Sequence, residues 1–377
     1  MPNTVEMLAA LAAFPTISAD SNESLIRFAA QSITDSGGHV QKLVGSEPGK
    51  FNLMASFGPA VGAGIVLSGH SDVVPVTGQA WQSNPFALTE RDGRLHARGA
   101  SDMKGFLAAM LTAAARCEVA KLTRPLHLIF SYDEELGCLG VRDLLARLAA
   151  EGFTAAGAII GEPTEGRVIT GHKGKLAGCI CCRGRAAHSA NPALGCNAIM
   201  LAGEMLGELR ALQTAVAGGA RDDAYPFPFT SLHAGRIKGG VALNIVPDYC
   251  EIEFEIRHLP GTDTSALLAR LRDAGARIGA ASNGGSVTVD ITNHYPGLET
   301  ARGAAITQIA LRASGTDQTG KIGFGTEGGL FSETLGLETI ICGPGSIDRA
   351  HKADEYITRD ELAACDAFLD QVIATLF

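Results

Sequence analysis

The chain is 377 residues long, 46% hydrophobic and 19% charged, with 46 glycines, a single tryptophan and a formal net charge of -9. At roughly 150 residues per domain this length points to two domains, and the composition excludes a disordered chain. Basic residues are scattered singly among acids, which excludes a nucleic-acid partner, and no apolar run approaches the roughly 20 residues that span a bilayer, so no membrane is expected.

Nine cysteines, an odd number and mostly dispersed, suit a reducing compartment, and a cytoplasmic location is expected. The N-terminal stretch MPNTVEMLAALAAFPTISAD carries an acid and no basic n-region, so it reads as an amphipathic first helix rather than a signal peptide. Three short apolar runs follow, at residues 64 to 75 (GIVLSGHSDVVP), 126 to 137 (LHLIFSYDEELG) and 155 to 166 (AAGAIIGEPTEG), with helices expected over 103 to 118 and 139 to 150. Their continuous apolar character is that of strands covered on both faces in a parallel sheet. A fourth run, LETIICGPGSIDRAH (337 to 351), returns to the same style.

From about residue 175 to 290 the runs alternate in an antiparallel manner around one long helical stretch, NAIMLAGEMLGELRAL. The expected fold is therefore α/β: a mostly parallel sheet flanked by helices, built from residues 1–174 and 291–377, with an inserted α+β unit over 175–290. Within the insert, Cys179, Cys181 and Cys182 lie on one strand-like run without a second ligand pair at zinc-site spacing. They are expected to pack as buried apolar side chains.

In a parallel α/β sheet, ligands gather where the strands end. The first run ends in His70 and Asp72, the second in Asp133, Glu134 and Glu135, the third in Glu162, and the fourth leads to His351. Asp102 sits in the turn RGASDMKG ahead of a helix. Any one of these alone reads as a helix cap or a solvated loop residue. Together, imidazoles and carboxylates in this number suit two divalent ions sharing a bridge, zinc foremost, with cobalt or manganese accepted by the same donors. Such a pair acidifies water and polarises a carbonyl, which is hydrolase chemistry. Glu134 and Glu135 are adjacent, and successive side chains diverge, so one is expected to bind metal and the other to move protons. Asp72 has the role of accepting the second ring N–H of His70.

The stretches GHSDVVP, WQSNPFALTERDGRLHARGASDMKG, YDEELG and GEPT, in this order, resemble the family of two-zinc metallopeptidases and deacylases. That family includes acetylornithine deacetylases, succinyl-diaminopimelate desuccinylases, aminoacylases and carboxypeptidase G. The resemblance implies His70 and Glu162 on one metal, Glu135 and His351 on the other, Asp102 bridging with a cis peptide after it, and Glu134 as general base with Asp72 behind His70. RGRAAHSANPALGCNAI resembles the family segment whose histidine, here His188, stabilises an oxyanion, often across a homodimer interface formed by the inserted unit. Asn244 and Arg257 fall where the family contacts a substrate carboxylate, although Arg257 is equally placed to pair with a neighbouring strand acid. GFGTEGGLF and CGPGSIDRAHKADEYI resemble the acetylornithine-deacetylating branch, which assigns Thr326 and Glu327 to substrate binding, with Glu327 facing a distal ammonium. The activity implied is deacetylation of N2-acetyl-L-ornithine, in arginine biosynthesis. A deacylase or dipeptidase for another N-acyl amino acid, such as N-succinyl-diaminopimelate, is the alternative, and a non-catalytic metal-binding scaffold the remote one.

Overall fold

A computed structural model describes residues 3–377 as two compact units. Unit 1 runs to Gly171 and resumes over Leu298–Lys321 and Thr326–Phe377, while unit 2 comprises His172–Gly297 and Ile322–Gly325. These limits differ from those set by the change in sequence style. The reason is strand pairing: Gly174–Arg183 and Ser286–Tyr295 pair antiparallel along their lengths, so both belong to unit 2.

Unit 1 is organised on a large mixed sheet. Its order is His39–Val44, Phe51–Phe57, Leu126–Ser131, Ile65–His70, Gly157–Pro163, Thr339–Gly343, Val168–His172 and Leu298–Glu299, with Thr319–Ile322 joined to Val168–His172. The four central strands, Leu126–Ser131, Ile65–His70, Gly157–Pro163 and Thr339–Gly343, run parallel. They are the four apolar runs of the sequence, and each is buried along its whole length. Pairing at both flanks is antiparallel, through Phe51–Phe57 on one side and Val168–His172 on the other.

The helix Lys104–Arg116 is buried from Lys104 to Ala114. A helix apolar all round must be covered on every side, and its residues share one core with the helices Thr4–Ala12, Glu23–Asp35 and Arg359–Ala374. Its fit against the sheet depends on Gly161, where a Cβ atom would lie 2.0 Å from the Phe106 ring. A smaller three-stranded sheet, Tyr356–Thr358, Arg94–His96 and Thr89–Arg91, ties the C-terminal stretch to the chain before Asp102.

Unit 2 is an antiparallel sheet in the order Ser231–Gly239, Tyr249–His258, Gly174–Arg183, Ser286–Tyr295. Burial alternates along its two central strands, and the helices Ala198–Ala217 and Thr264–Ala281 share a core with the covered face. The cysteine cluster divides accordingly. Cys182 lies in that core, whereas Cys179 and Cys181 are only partly buried, on the other face. Cysteine counts as apolar in either setting, so composition did not reveal which face the helices cover. Among the described residues, no helix is long and apolar enough to cross a membrane.

His127, on a central strand of unit 1, meets the Ser56 hydroxyl at 2.8 Å and the edge of Phe153. Burial pushes its pKa down to about 4. Between that value and the ordinary 6.5 the unfolded chain takes up a proton that the native state refuses, so this residue's contribution to stability is whole above pH 6.5 and is lost as pH falls towards 4. Urea unfolding should show wild type losing about 2 kcal/mol more than His127→Gln between pH 7 and pH 5. Equal losses would remove His127 as the source.

Candidate metal and catalytic site

Five strand ends and turns of unit 1 converge on two groups of side chains. His70, Asp102 and Glu162 form one, Asp102, Glu135 and His351 the other, and within each the donor atoms lie within 4.8 Å of one another. Asp102 is common to both. Its Oδ1 lies 3.1 Å from Nε2 of His70 and its Oδ2 3.2 Å from Nε2 of His351. His351 also meets Glu135 Oε2 at 3.0 Å. His70, Asp102 and Glu162 are buried, while the His351 side chain remains half exposed. The Asp102–Met103 peptide is cis.

Burial works against ionisation of Asp102, but hydrogen bonds from His351 and His70 hold its carboxyl well below the usual range. The other acids go the opposite way. Burial, then repulsion from Asp102 and Glu134, pushes Glu162 well up. Burial and Asp102 raise Glu135. Glu134 keeps some surface as a residue, yet its carboxyl sits deep enough for burial to push it up to about 8, against a lowering by His70 and with Glu135, Glu327 and Asp102 adding repulsion. His351, bonded to Asp102 and Glu135, is raised to about 10. Raised carboxyls around Asp102 mark a site crowded with negative charge. Divalent cations compensate the same charge, and imidazole nitrogens with carboxylate oxygens are the donors that zinc-like ions take, so the residues present fit two such ions.

The turns that carry these groups are fixed by other carboxylates. Asp72 Oδ1 accepts the Glu134 N–H at 3.1 Å, and Oδ2 accepts the Ser18 hydroxyl at 2.7 Å and the Glu135 N–H at 3.4 Å. The nearer acceptor for His70 Nδ1 is the main-chain carbonyl of Asp72, at 2.9 Å, with the carboxylate at 3.5 Å. Asp72 therefore sets the imidazole mainly through its backbone, and its side chain secures the Glu134–Glu135 turn. Asp133, at φ 51° in that turn, pairs with buried Lys50 at 2.6 Å and accepts the Ala19 N–H.

A second network, absent from the sequence reading, joins the Asp102 and His351 segments. Buried Glu355 accepts the N–H groups of Ser101 and Asp102 on Oε1, and the Gly99 N–H and Arg98 guanidinium on Oε2. Arg98 also donates to Gln79, which donates at 2.9 Å to the His351 carbonyl. DEY in the C-terminal motif was the available signal, but an acid near His351 does not announce that it grips backbone far upstream.

Thr326 is buried, and its hydroxyl accepts the Gly328 N–H where the helix Gly328–Leu335 begins. Neighbouring Glu327 is buried, and neither of its carboxylate oxygens makes a hydrogen bond of ordinary geometry. Burial raises it to about 7, moderated by the nearby Ser131 hydroxyl. In unit 2, His188 is exposed and its Nδ1 accepts the Ala190 N–H. Exposed Asn244 lies on the adjoining stretch, where its carbonyl accepts the Ser189 N–H. Arg257 binds Glu255 through Nε at 2.5 Å and donates to the Tyr295 hydroxyl at 2.9 Å, so the strand acid is its partner here.

The sequence profile of Peptidase family M20/M25/M40 matches residues 66–375. Acetylornithine deacetylases of Salmonella paratyphi B and Salmonella newport are 35% identical over 382 aligned residues, covering 99% of this chain and 97% of theirs. Among solved structures, aminopeptidase PepT of Bacillus cereus has a TM-score of 0.80 at 22% identity, covering 99% of this chain and 98% of its own. An M20 family metallo-carboxypeptidase of Sulfolobus solfataricus has a TM-score of 0.80 at 18% identity, with 99% of both chains covered. A dinuclear metal-binding M20 peptidase of Bacillus subtilis has a TM-score of 0.69 at 16% identity, covering 99% and 97%. These three share the fold.

Glu355→Gln sets an amide NH2 against backbone and guanidinium donors. It is expected to cost about 2–4 kcal/mol in urea unfolding and to lower bound divalent metal, measured by elemental analysis of the folded variant. Unchanged stability and metal content would contradict the positioning network.

Proposed function

The chain belongs to the M20/M25/M40 peptidase family and is an amide hydrolase of that family, and on this premise we propose that it converts N2-acetyl-L-ornithine to L-ornithine and acetate. The observation that carries the reading is the meeting of two ligand groups at Asp102, with Glu134 beside them.

His70, Asp102 and Glu162 would hold one divalent ion and Asp102, Glu135 and His351 the other, zinc by donor chemistry, with cobalt or manganese as substitutes. When bound, such ions polarise the amide carbonyl and lower the pKa of water. Glu134 takes up the proton that water loses as its oxygen adds to the acyl carbon. As the C–N bond breaks, Glu134 returns that proton to the leaving nitrogen. Asp72 keeps this carboxylate in place by holding its backbone N–H. His188 is assigned to the oxyanion: Nδ1 accepts a backbone N–H, so the ring proton of the neutral imidazole sits on Nε2, the donor required. Asn244 and Arg257 are assigned to the substrate carboxylate, Arg257 by exchanging Glu255 for it.

Support for the ornithine side chain comes from Glu327. A buried carboxylate without a formed hydrogen bond gains most from an incoming ammonium. Thr326, which caps the adjoining helix start, holds the loop for that contact. The product feeds arginine biosynthesis in the cytoplasm. We assign the active form as a homodimer through unit 2, where Ser231–Gly239 is an exposed edge strand followed by exposed Val241 and Leu243.

The test is turnover of N2-acetyl-L-ornithine alongside N-succinyl-diaminopimelate, neutral N-acetyl amino acids and dipeptides, with metal analysis of the same sample. Preference for any other member of the panel would replace the substrate. Glu134→Ala should keep two metal ions per chain while kcat falls by about 10²- to 10⁴-fold; retained turnover would remove Glu134 from the mechanism. Glu327→Gln should narrow the preference for acetylornithine over neutral N-acetyl amino acids by about tenfold or more, since 1.4 kcal/mol of lost ion pairing is one decade. An unchanged ratio would sink that contact.

A further inference from the structure

The open face of the unit 2 sheet carries a pair of thiols that hydrolysis does not use. Cys179 and Cys181 are two residues apart on the strand Gly174–Arg183, so they project to the same side, and their sulfur atoms lie 3.6 Å apart. Both are partly exposed, whereas Cys182 between the strand's neighbours is buried under the helices. Two sulfurs bound to one tetrahedral ion at about 2.3 Å each are about 3.8 Å apart. The pair therefore already stands at chelating separation, without the approach to about 2.05 Å that a disulfide needs.

The surroundings supply further donors of the right kind. Strand register sets Glu251 and Thr288 across from Cys181, and Glu253 and Asp290 across from Cys179. The Tyr249 hydroxyl lies 3.8 Å from the Cys181 sulfur and donates to Glu251 at 2.7 Å. Glu253 is shared with exposed Arg236 at 3.0 Å, while Glu255, the next acid along the face, is held by Arg257 and Lys175. Cys179 also lines an open cavity of about 440 Å3, together with His233, Glu253 and Glu255.

We infer that Cys179 and Cys181 form a chelating site for one thiophilic divalent cation of the zinc and cadmium class, completed by oxygen or imidazole donors from the same sheet face. Thiolate sulfur selects such ions over magnesium or calcium, and the carboxylates nearby favour a cation over a neutral or anionic ligand. Burial, the Cys181 thiol and the carboxylates of Glu251 and Glu253 push the Cys179 thiol up to about 12. Binding must displace protons, so affinity rises with pH. This site is separate in chemistry from the two groups around Asp102, which contain no sulfur, and it stands whether or not acetylornithine is the substrate.

The test uses the full chain, reduced and loaded with its catalytic metals. Cd²⁺ is titrated in while ultraviolet thiolate-to-cadmium charge-transfer absorption is followed, and equilibrium dialysis gives the stoichiometry. One Cd²⁺ per chain should bind with this absorption. Cys179→Ser and Cys181→Ser should each weaken that binding at least 100-fold while amide hydrolysis and far-ultraviolet circular dichroism stay unchanged. Cys117→Ser, at the partly buried thiol of unit 1, should leave the signal intact. Absence of the absorption in wild type, its persistence in Cys179→Ser/Cys181→Ser, or its loss in Cys117→Ser would each overturn the site.

Discussion

Asp102 faces two histidines at once because another buried carboxylate holds its backbone from behind. Glu355 accepts the N–H groups of Ser101, Asp102 and Gly99, and this grip fixes the backbone from which the shared acid stands between His70 and His351. The same device recurs through unit 1. Asp72 holds the turn bearing Glu134 and Glu135, and Asp133 draws in the Ala19 N–H while paired to Lys50. A turn at a strand end leaves amide donors unpaired by the sheet, and a buried carboxylate needs several donors to stay ionised. Each need answers the other, and the result is a rigid frame around side chains that repel one another.

Much of this frame rests on a feature that is visible along the chain. Four continuous apolar runs become the four parallel strands, and the polar residues just beyond them converge because parallel strands end on the same side. His70, Glu162 and the Glu134–Glu135 pair were legible on that ground. Asp102, in a turn ahead of a helix, and His351, beyond the fourth run, completed the candidate set by the same argument, and the resemblance then divided that set between two metals.

What stayed hidden depends on partners remote in sequence. Glu355 and Gln79 act through backbone groups, and a carboxylate that grips an amide leaves no spacing pattern behind. Arg257 is a different case: its partner Glu255 is two residues away on the same strand face, a pairing the sequence offered beside substrate binding without deciding between them. The cysteine cluster shows the same limit more sharply. Alternation separates Cys182 from Cys179 and Cys181, but only the helices Ala198–Ala217 and Thr264–Ala281 decide which side is core.

The order of the large sheet also bears on how the protein is made. Thr339–Gly343 lies between Gly157–Pro163 and Val168–His172, strands that leave the ribosome long before it. Domains generally fold as they emerge, yet unit 1 at that stage has a slot in the middle of its sheet and a bare strand edge on each side of it. The acids at the strand ends are present by then, but Glu355 and His351 are not. Nascent chains therefore carry a crowded set of carboxylates with neither the backbone grip nor the last imidazole in place. Unit 2, nearly continuous in sequence, lacks only Ile322–Gly325 while unit 1 waits for its interior strand. The final stretch supplies the missing interior strand, the Glu355 grip on the Asp102 backbone, and His351, the last member of the second group.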